Sequence, residues 1–167
     1  MQRVQKLTPC LWFDTQAEEA AKYYCSIFDH SKITGTTHYG KAGQDVHGMP
    51  EGLVLTISFE LDGQPFTGLN GGPQFKFNEA VSIQVNCQTQ EEIDHYWGTL
   101  SAGGDPRAQQ CGWLKDKYGL SWQIVPIPFM DMLKDPDTTK SQRAMQAMMQ
   151  MKKLDIAALQ RAFDGES

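Results

Sequence analysis

The feature that most constrains this chain is that its pattern of elements occurs twice. Leu7–Phe13 reads as a strand, and Asp14 or Thr15 is placed to cap a helix over Thr15–Phe28. Within that helix Ala17, Ala20, Ala21, Tyr24 and Phe28 recur at helical spacing. Lys32–Tyr39 is a second strand, followed by a polar Gly/Pro-rich loop at Gly40–Gly52. Leu53–Leu61 alternates, with Leu53, Leu55, Ile57, Phe59 and Leu61 on one face. Asp62-Gly63 is a hairpin turn into the strand Pro65–Asn70. The order then restarts, with a strand at Ala80–Asn86, a helix at Gln90–Ser101 and a stop at Gly103-Gly104. Short strands follow and end in a hairpin through Tyr118-Gly119. A displacement of 73 residues lays Glu18-Glu19 on Glu91-Glu92, Tyr23-Tyr24 on Tyr96-Trp97, and Ile27 on Leu100. A repeated supersecondary pattern limits the fold more than any single motif does. The expectation is an α+β fold of paired βαβββ modules with curved sheets, at residues 7–72 and 79–127 of one domain.

Beyond Pro126 the pattern becomes helical. Pro128–Lys134 reads as a short helix, Pro136 interrupts it, and Ser141–Phe163 places Met145, Met148, Ile156, Leu159 and Phe163 on one stripe. Asp155 can cap a separate last helix, and the methionines suit core or dimer packing. This extension covers residues 128–167.

Several function classes are disfavoured. The net charge is −5 with the charged residues dispersed, so no basic stripe exists for nucleic acid. No run of about 18 apolar residues could span a membrane. The N-terminal MQRVQKLTPCLWF lacks the apolar stretch of a secretory signal. Four cysteines without a Cys-x-x-Cys spacing suit reduced thiols in a cytoplasmic protein. Cys25 and Cys87 read as buried small residues, whereas Cys10 and Cys111 fall on strand patterns and are site candidates.

The segments "TPCLWFDTQAEEAAKYYCSIF", "GLNGGPQFKFNEAVSIQV", "CGWLKDKYGLSWQIVP" and "RAMQAMMQMKKLDIAALQRAF" cover most of the chain. In these the sequence resembles the vicinal-oxygen-chelate superfamily of glyoxalases, bleomycin-resistance proteins and ring-cleavage dioxygenases, and more closely its PhnB-like branch. Members of that branch often carry the name 3-demethylubiquinone-9 3-methyltransferase, and most have no defined activity. The resemblance implies a cup formed by two curved sheets, suited to a small molecule, and a homodimer. In the superfamily's metalloenzymes, His, Gln or Glu side chains from several strands hold a divalent ion.

Carrying that ligand set onto this chain gives Thr8, Ala80 (with Ser82 and Gln84 in phase), Thr67 or Asn70, and Gln123. It contains neither imidazole nor carboxylate, the donors that dominate transition-metal and zinc sites. His30, His38, His47 and His95 lie elsewhere and read as surface residues. No metal and no cofactor is therefore expected. Methyl transfer from S-adenosylmethionine calls for a Gly-rich turn after the first strand, and Gly71-Gly72 and Gly103-Gly104 lack that setting. Glu18-Glu19 and Glu91-Glu92 suit the helix dipoles, and Asp116 suits a hairpin turn.

What remains is a set of polar groups able to face a cup: Thr8, Cys10, Thr67, Asn70, Ser82, Gln84, Cys111 and Gln123. Trp12, Phe66, Trp113 and Trp122 stand around them, a combination that suits a planar or amphipathic organic ligand. No residue stands out as catalytic. Three readings follow: a metal-independent binding protein or weak enzyme, a divalent-metal lyase or dioxygenase, and the methyltransferase of the family name.

Overall fold

The computed structural model describes residues 4–166, and the chain divides into two compact units, Met1–Lys76 and Phe77–Ser167. Each has a helix packed on one face of a sheet, so the fold is α+β as expected.

The first unit runs β1 (Cys10–Phe13), α1 (Ala17–Ile27), β2 (Lys32–His38), α2 (Gln44–His47), β3 (Val54–Leu61) and β4 (Gln64–Asn70). Its sheet has the order β1-β4-β3-β2, with β1 parallel to β4 and the other pairs antiparallel. The crossover through α1 makes the parallel pairing possible, because a parallel neighbour cannot be reached by a tight turn. Ala17, Ala20, Ala21, Tyr24 and Ile27 form the buried stripe of α1. They pack toward Leu11, Phe13, Ile57, Phe59 and Phe66 on one face of the sheet. Asp62 and Gly63 both have positive φ (49° and 77°), the backbone of a two-residue hairpin turn whose twist matches its strands.

Two details depart from expectation. Strand β1 starts at Cys10 rather than Leu7, and Leu7 is exposed ahead of it. Neither Asp14 nor Thr15 caps α1: the N-cap position is Gln16, without a side-chain cap. The Ala17 N–H instead donates to Asn70 Oδ1 at 2.9 Å, so the first helix is capped from the end of β4. Strand β2 is exposed at every residue and carries register irregularities at Ile33/Gly35 and Thr37/His38. Such bulges, together with Lys32, discourage pairing at an open sheet edge.

The second unit repeats the plan with β5 (Ser82–Cys87), α3 (Gln90–Ser101), β6 (Trp113–Lys115) and β7 (Ser121–Pro126). Its sheet order is β5-β7-β6, and β5 is again parallel to the last strand. Helices α1 and α3 begin at Ala17 and Gln90, 73 positions apart, as the internal alignment requires. Here a local cap does exist: Thr89 Oγ1 accepts from the Glu92 N–H, and Glu92 Oε2 accepts from the Gln88 N–H.

The second sheet has three strands, one fewer than expected of a full βαβββ module. Where the counterpart of β2 would lie, the chain makes a 3-10 turn at Pro106–Ala108 and an isolated bridge between Gln110 and Trp113. Pro106 has no N–H for a ladder, and Cys111 and Gly112 adopt consecutive positive φ values of 54° and 83°, which end an extended run. The Cys111 and Gly112 N–H groups donate to the carbonyls of Met151 and Lys152, both at 2.8 Å. The C-terminal extension thus supplies backbone acceptors at this edge.

That extension forms α4 (Ile127–Leu133), α5 (Thr138–Met148) and α6 (Ile156–Asp164) around Phe129, Met132, Ala144, Leu154 and Leu159. The helix expected over 141–163 is broken between Met148 and Ile156, where residues 149–155 face the edge just described and Gln90 bonds both Leu154 O and the Ile156 N–H. Asp155 caps α6, with Oδ1 accepting from the Ala158 N–H at 2.9 Å. Asp155→Ala is expected to cost about 1 kcal/mol, measured by urea denaturation, with Asp155→Ser recovering most of it. Met148 and Met151 pack on this core, whereas Met149 is exposed. No helix among the described residues is long and apolar enough to cross a membrane.

Candidate functional site

Pairing register decides which side chains share a sheet face, since alternate residues of a strand point to opposite sides. In the first unit Cys10 pairs with Thr67 and Trp12 with Leu69, while Thr67 pairs with Ser58 and Leu69 with Thr56. Cys10, Trp12, Thr67, Ser58 and Thr56 therefore line the face turned away from α1. The Trp12 indole N–H donates to Gly72 O at 2.9 Å, and Phe75 meets its ring edge-on with centroids 5.0 Å apart. A Cβ on Gly71 would lie 2.3 Å from the Trp12 ring, so the glycine is what lets the indole lie flat there. Thr37 and Thr56 share a hydroxyl hydrogen bond of 2.6 Å.

Asn70 and Phe66 fall on the opposite, helix-packed face. Asn70 is buried, and its amide is spent within the unit: Oδ1 accepts from the Ala17 N–H and Nδ2 donates to Val54 O, both at 2.9 Å. Thr8 is exposed and precedes β1.

In the second unit Ser82 pairs with Ser121 and Gln84 with Gln123 across β5 and β7. On the other side of β7, Trp113 pairs with Gln123 and Lys115 with Ser121. Ser82, Gln84, Trp113, Lys115, Ser121 and Gln123 thus form one face of the sheet. Gln123 Nε2 donates to Ser82 Oγ at 2.8 Å, and Gln84 Nε2 donates to Asn86 Oδ1 at 3.2 Å. Four of the side chains singled out from the sequence, Ser82, Gln84, Trp113 and Gln123, are brought together here. Lys115 and Ser121 were missed, although each lies two residues from a candidate on the same strand and could have been found by alternation. Lys115 forms an ion pair with Glu79, whose carboxyl is held below its ordinary value first by that hydrogen bond.

Trp122 and Cys111 are placed elsewhere. Trp122 is buried on the α3 side, and its indole N–H donates to Asp116 Oδ2 at 2.9 Å. Cys111 lies outside any strand, with its thiol 3.8 Å from Met149 O. Asp116 is itself buried, and Oδ1 accepts from the Tyr118 and Leu120 N–H groups at 2.9 and 3.1 Å. Its oxygens organise the β6–β7 turn and leave no acceptor directed at a substrate.

Nucleophilic or metal chemistry finds little support in the donor set. All four cysteines are free thiols, and burial pushes Cys87 up to about 12, with Glu92 adding to the effect. His47 is engaged locally, with Nδ1 accepting from the Met49 N–H at 2.9 Å and Nε2 lying 3.0 Å from Ala42 O. Among the described residues no three His, Cys, Asp or Glu side chains gather as a metal site would require. The positions carried over for a divalent ion, Thr8, Thr67 or Asn70, Ala80 and Gln123, offer hydroxyl and amide oxygens but neither imidazole nor carboxylate.

Comparison with known proteins bears on the family. The family model described as 3-demethylubiquinone-9 3-methyltransferase matches residues 5–125, which end within β7. The PhnB protein from Bacillus cereus is 37% identical, with a TM-score of 0.62 over 73% of this chain and 99% of that one. Protein PA1353 from Pseudomonas aeruginosa shares the fold, with a TM-score of 0.54 at 15% identity over 71% of this chain and 95% of that one. No curated protein matches significantly. The chain belongs to the family described as 3-demethylubiquinone-9 3-methyltransferase, to which the Bacillus cereus PhnB protein is also ascribed.

Proposed function

We propose that this protein binds a small planar or amphipathic organic molecule on the sheet face turned away from the packed helix, without a catalytic metal. The observation that carries the reading is the register of β5, β6 and β7, which puts hydroxyl, amide and indole groups on one face of the second unit. Trp113 offers apolar area while Ser82, Gln84 and Gln123 offer donors and acceptors that orient a ligand. Cys10, Trp12 and Thr67 on the first unit's open face are a second set of ligand-facing candidates. The four free thiols support a cytoplasmic setting, and the exposed Met149 on the C-terminal extension supports self-association as a homodimer.

The test is metal analysis of protein purified without chelator, combined with a thermal-shift screen of aromatic and amphipathic small molecules. Substoichiometric metal and an unchanged melting temperature in EDTA are expected, with stabilisation by at least one ligand class. Stoichiometric divalent metal whose removal abolishes ligand binding would overturn the reading in favour of a lyase or dioxygenase. Calorimetric binding of S-adenosylmethionine would overturn it in favour of the methyltransferase that the family name describes.

A further inference from the structure

The geometry points to an organic carboxylate as the ligand class of the second unit's sheet face turned away from α3, its charged group seated on a row formed by Lys115, Ser121 and Ser82. This deepens the small-molecule reading above and rests on it. The three residues lie directly opposite one another across β6, β7 and β5, at strand spacings of about 4.8 Å. A carboxylate fits between two donors so spaced, because each of its oxygens accepts from one side. Lys115 contributes a cation whose own side chain is largely buried, with 25% of it exposed.

The independent observation is Ser121. The residue is 1% exposed and its Oγ is buried without a hydrogen-bond partner among the described residues. A buried hydroxyl left unpaired is costly and calls for an explanation. By alternation it lies on the face from which Gln123 reaches Ser82. Ser82 Oγ accepts from Gln123 Nε2, which leaves the Ser82 proton free to donate onward.

Glu79 shows that the Lys115 end of the row takes a carboxylate. It lies ahead of β5, its side chain is 64% exposed, and its carboxylate occupies Lys115. An incoming carboxylate would displace Glu79 into solvent at little cost, since Glu79 is fully hydratable. Trp113, the next residue along β6 on this face, is about 7 Å from Lys115 and would cover an aromatic ring attached to the carboxylate.

Sodium benzoate is the probe, with neutral benzamide as its control, followed by amide chemical shifts and by calorimetry. Benzoate is expected to shift the amides of residues 82, 115, 121 and 123 and to bind about tenfold more tightly than benzamide. Lys115→Met should weaken benzoate about tenfold while leaving benzamide unchanged. Glu79→Gln should tighten benzoate by removing the internal competitor. Ser121→Ala should weaken benzoate yet raise the melting temperature by about 2–4 °C, because it deletes an unsatisfied buried hydroxyl. A purely structural serine would not couple those two changes in opposite directions. Equal affinity for benzoate and benzamide on this face, or Lys115→Met binding benzoate normally, overturns the carboxylate inference and leaves the small-molecule reading intact. No binding of either probe, with no ligand from the wider screen, overturns both.

Discussion

Asp116→Ala is expected to destabilise the second unit by about 3–4 kcal/mol, the larger of the two main stability effects anticipated for this protein. The carboxylate accepts from two turn N–H groups and from the Trp122 indole, and all of this happens at 2% exposure. Truncation leaves a buried indole N–H unpaired and removes the acceptor that closes the β6–β7 turn. The turn N–H groups can recover part of the loss from water, which keeps the cost below the sum of three separate orphaned donors. Asp116→Asn keeps a single acceptor oxygen and should lose about half as much. Thermal unfolding should show a fall of about 10 °C for the alanine variant. A loss below about 1 kcal/mol would mean that Asp116 is not what organises this turn.

Asn70→Ala should cost about 2–3 kcal/mol in the first unit. Its amide uses both ends at once, accepting from the Ala17 N–H at the start of α1 and donating to Val54 O in β3. Asn70→Asp is the more informative variant. It retains an acceptor for Ala17 but turns an oxygen toward the Val54 carbonyl, so at neutral pH it should be no more stable than the alanine variant. Protonation gives that carboxyl a donor, so its stability relative to wild type should improve as pH falls through the carboxylate range. A chemical-denaturation series against pH checks both statements, and an aspartate variant as stable as wild type at pH 7 would contradict them.

The role of Asn70 also shows where sequence reading stops. As a polar residue closing an alternating strand it has the same local signature as a ligand-facing side chain. What assigns it is the pairing of Phe13 with Asn70, which turns it toward α1 rather than toward the open face. Gln123 shows the opposite case. It sits between Trp122 and Ile124, both buried, and its own position is only partly covered, as alternation alone requires. Trp122 looked like a pocket wall by composition, yet it falls one residue out of phase and belongs to the core. One position along a strand is the whole difference between a ligand face and a packed face.

Helix α3 was legible to the residue, at Gln90–Ser101, and the Thr89 cap that starts it is local in sequence. The first helix was placed less well because its cap comes from a residue 53 positions away. The same limit hides the edge of the second sheet. Pro106 and the glycine at 112 signal a break, but nothing near them announces that carbonyls of Met151 and Lys152 will be the acceptors.

By itself, then, the sequence determined the repeated order of elements, the Asp62-Gly63 turn, the Asp155 cap and the family. The turn and the cap rest on short-range hydrogen bonding and backbone preference, the repeat on a pattern of elements that recurs after 73 residues, and the family on the resemblance of four long segments. The tertiary structure alone decided that Asn70 is structural, that the second sheet stops at three strands, and that β5, β6 and β7 pair in the register that sets Ser82, Lys115 and Gln123 on one face. Those outcomes depend on strand register and on partners distant in the chain, which no local pattern encodes.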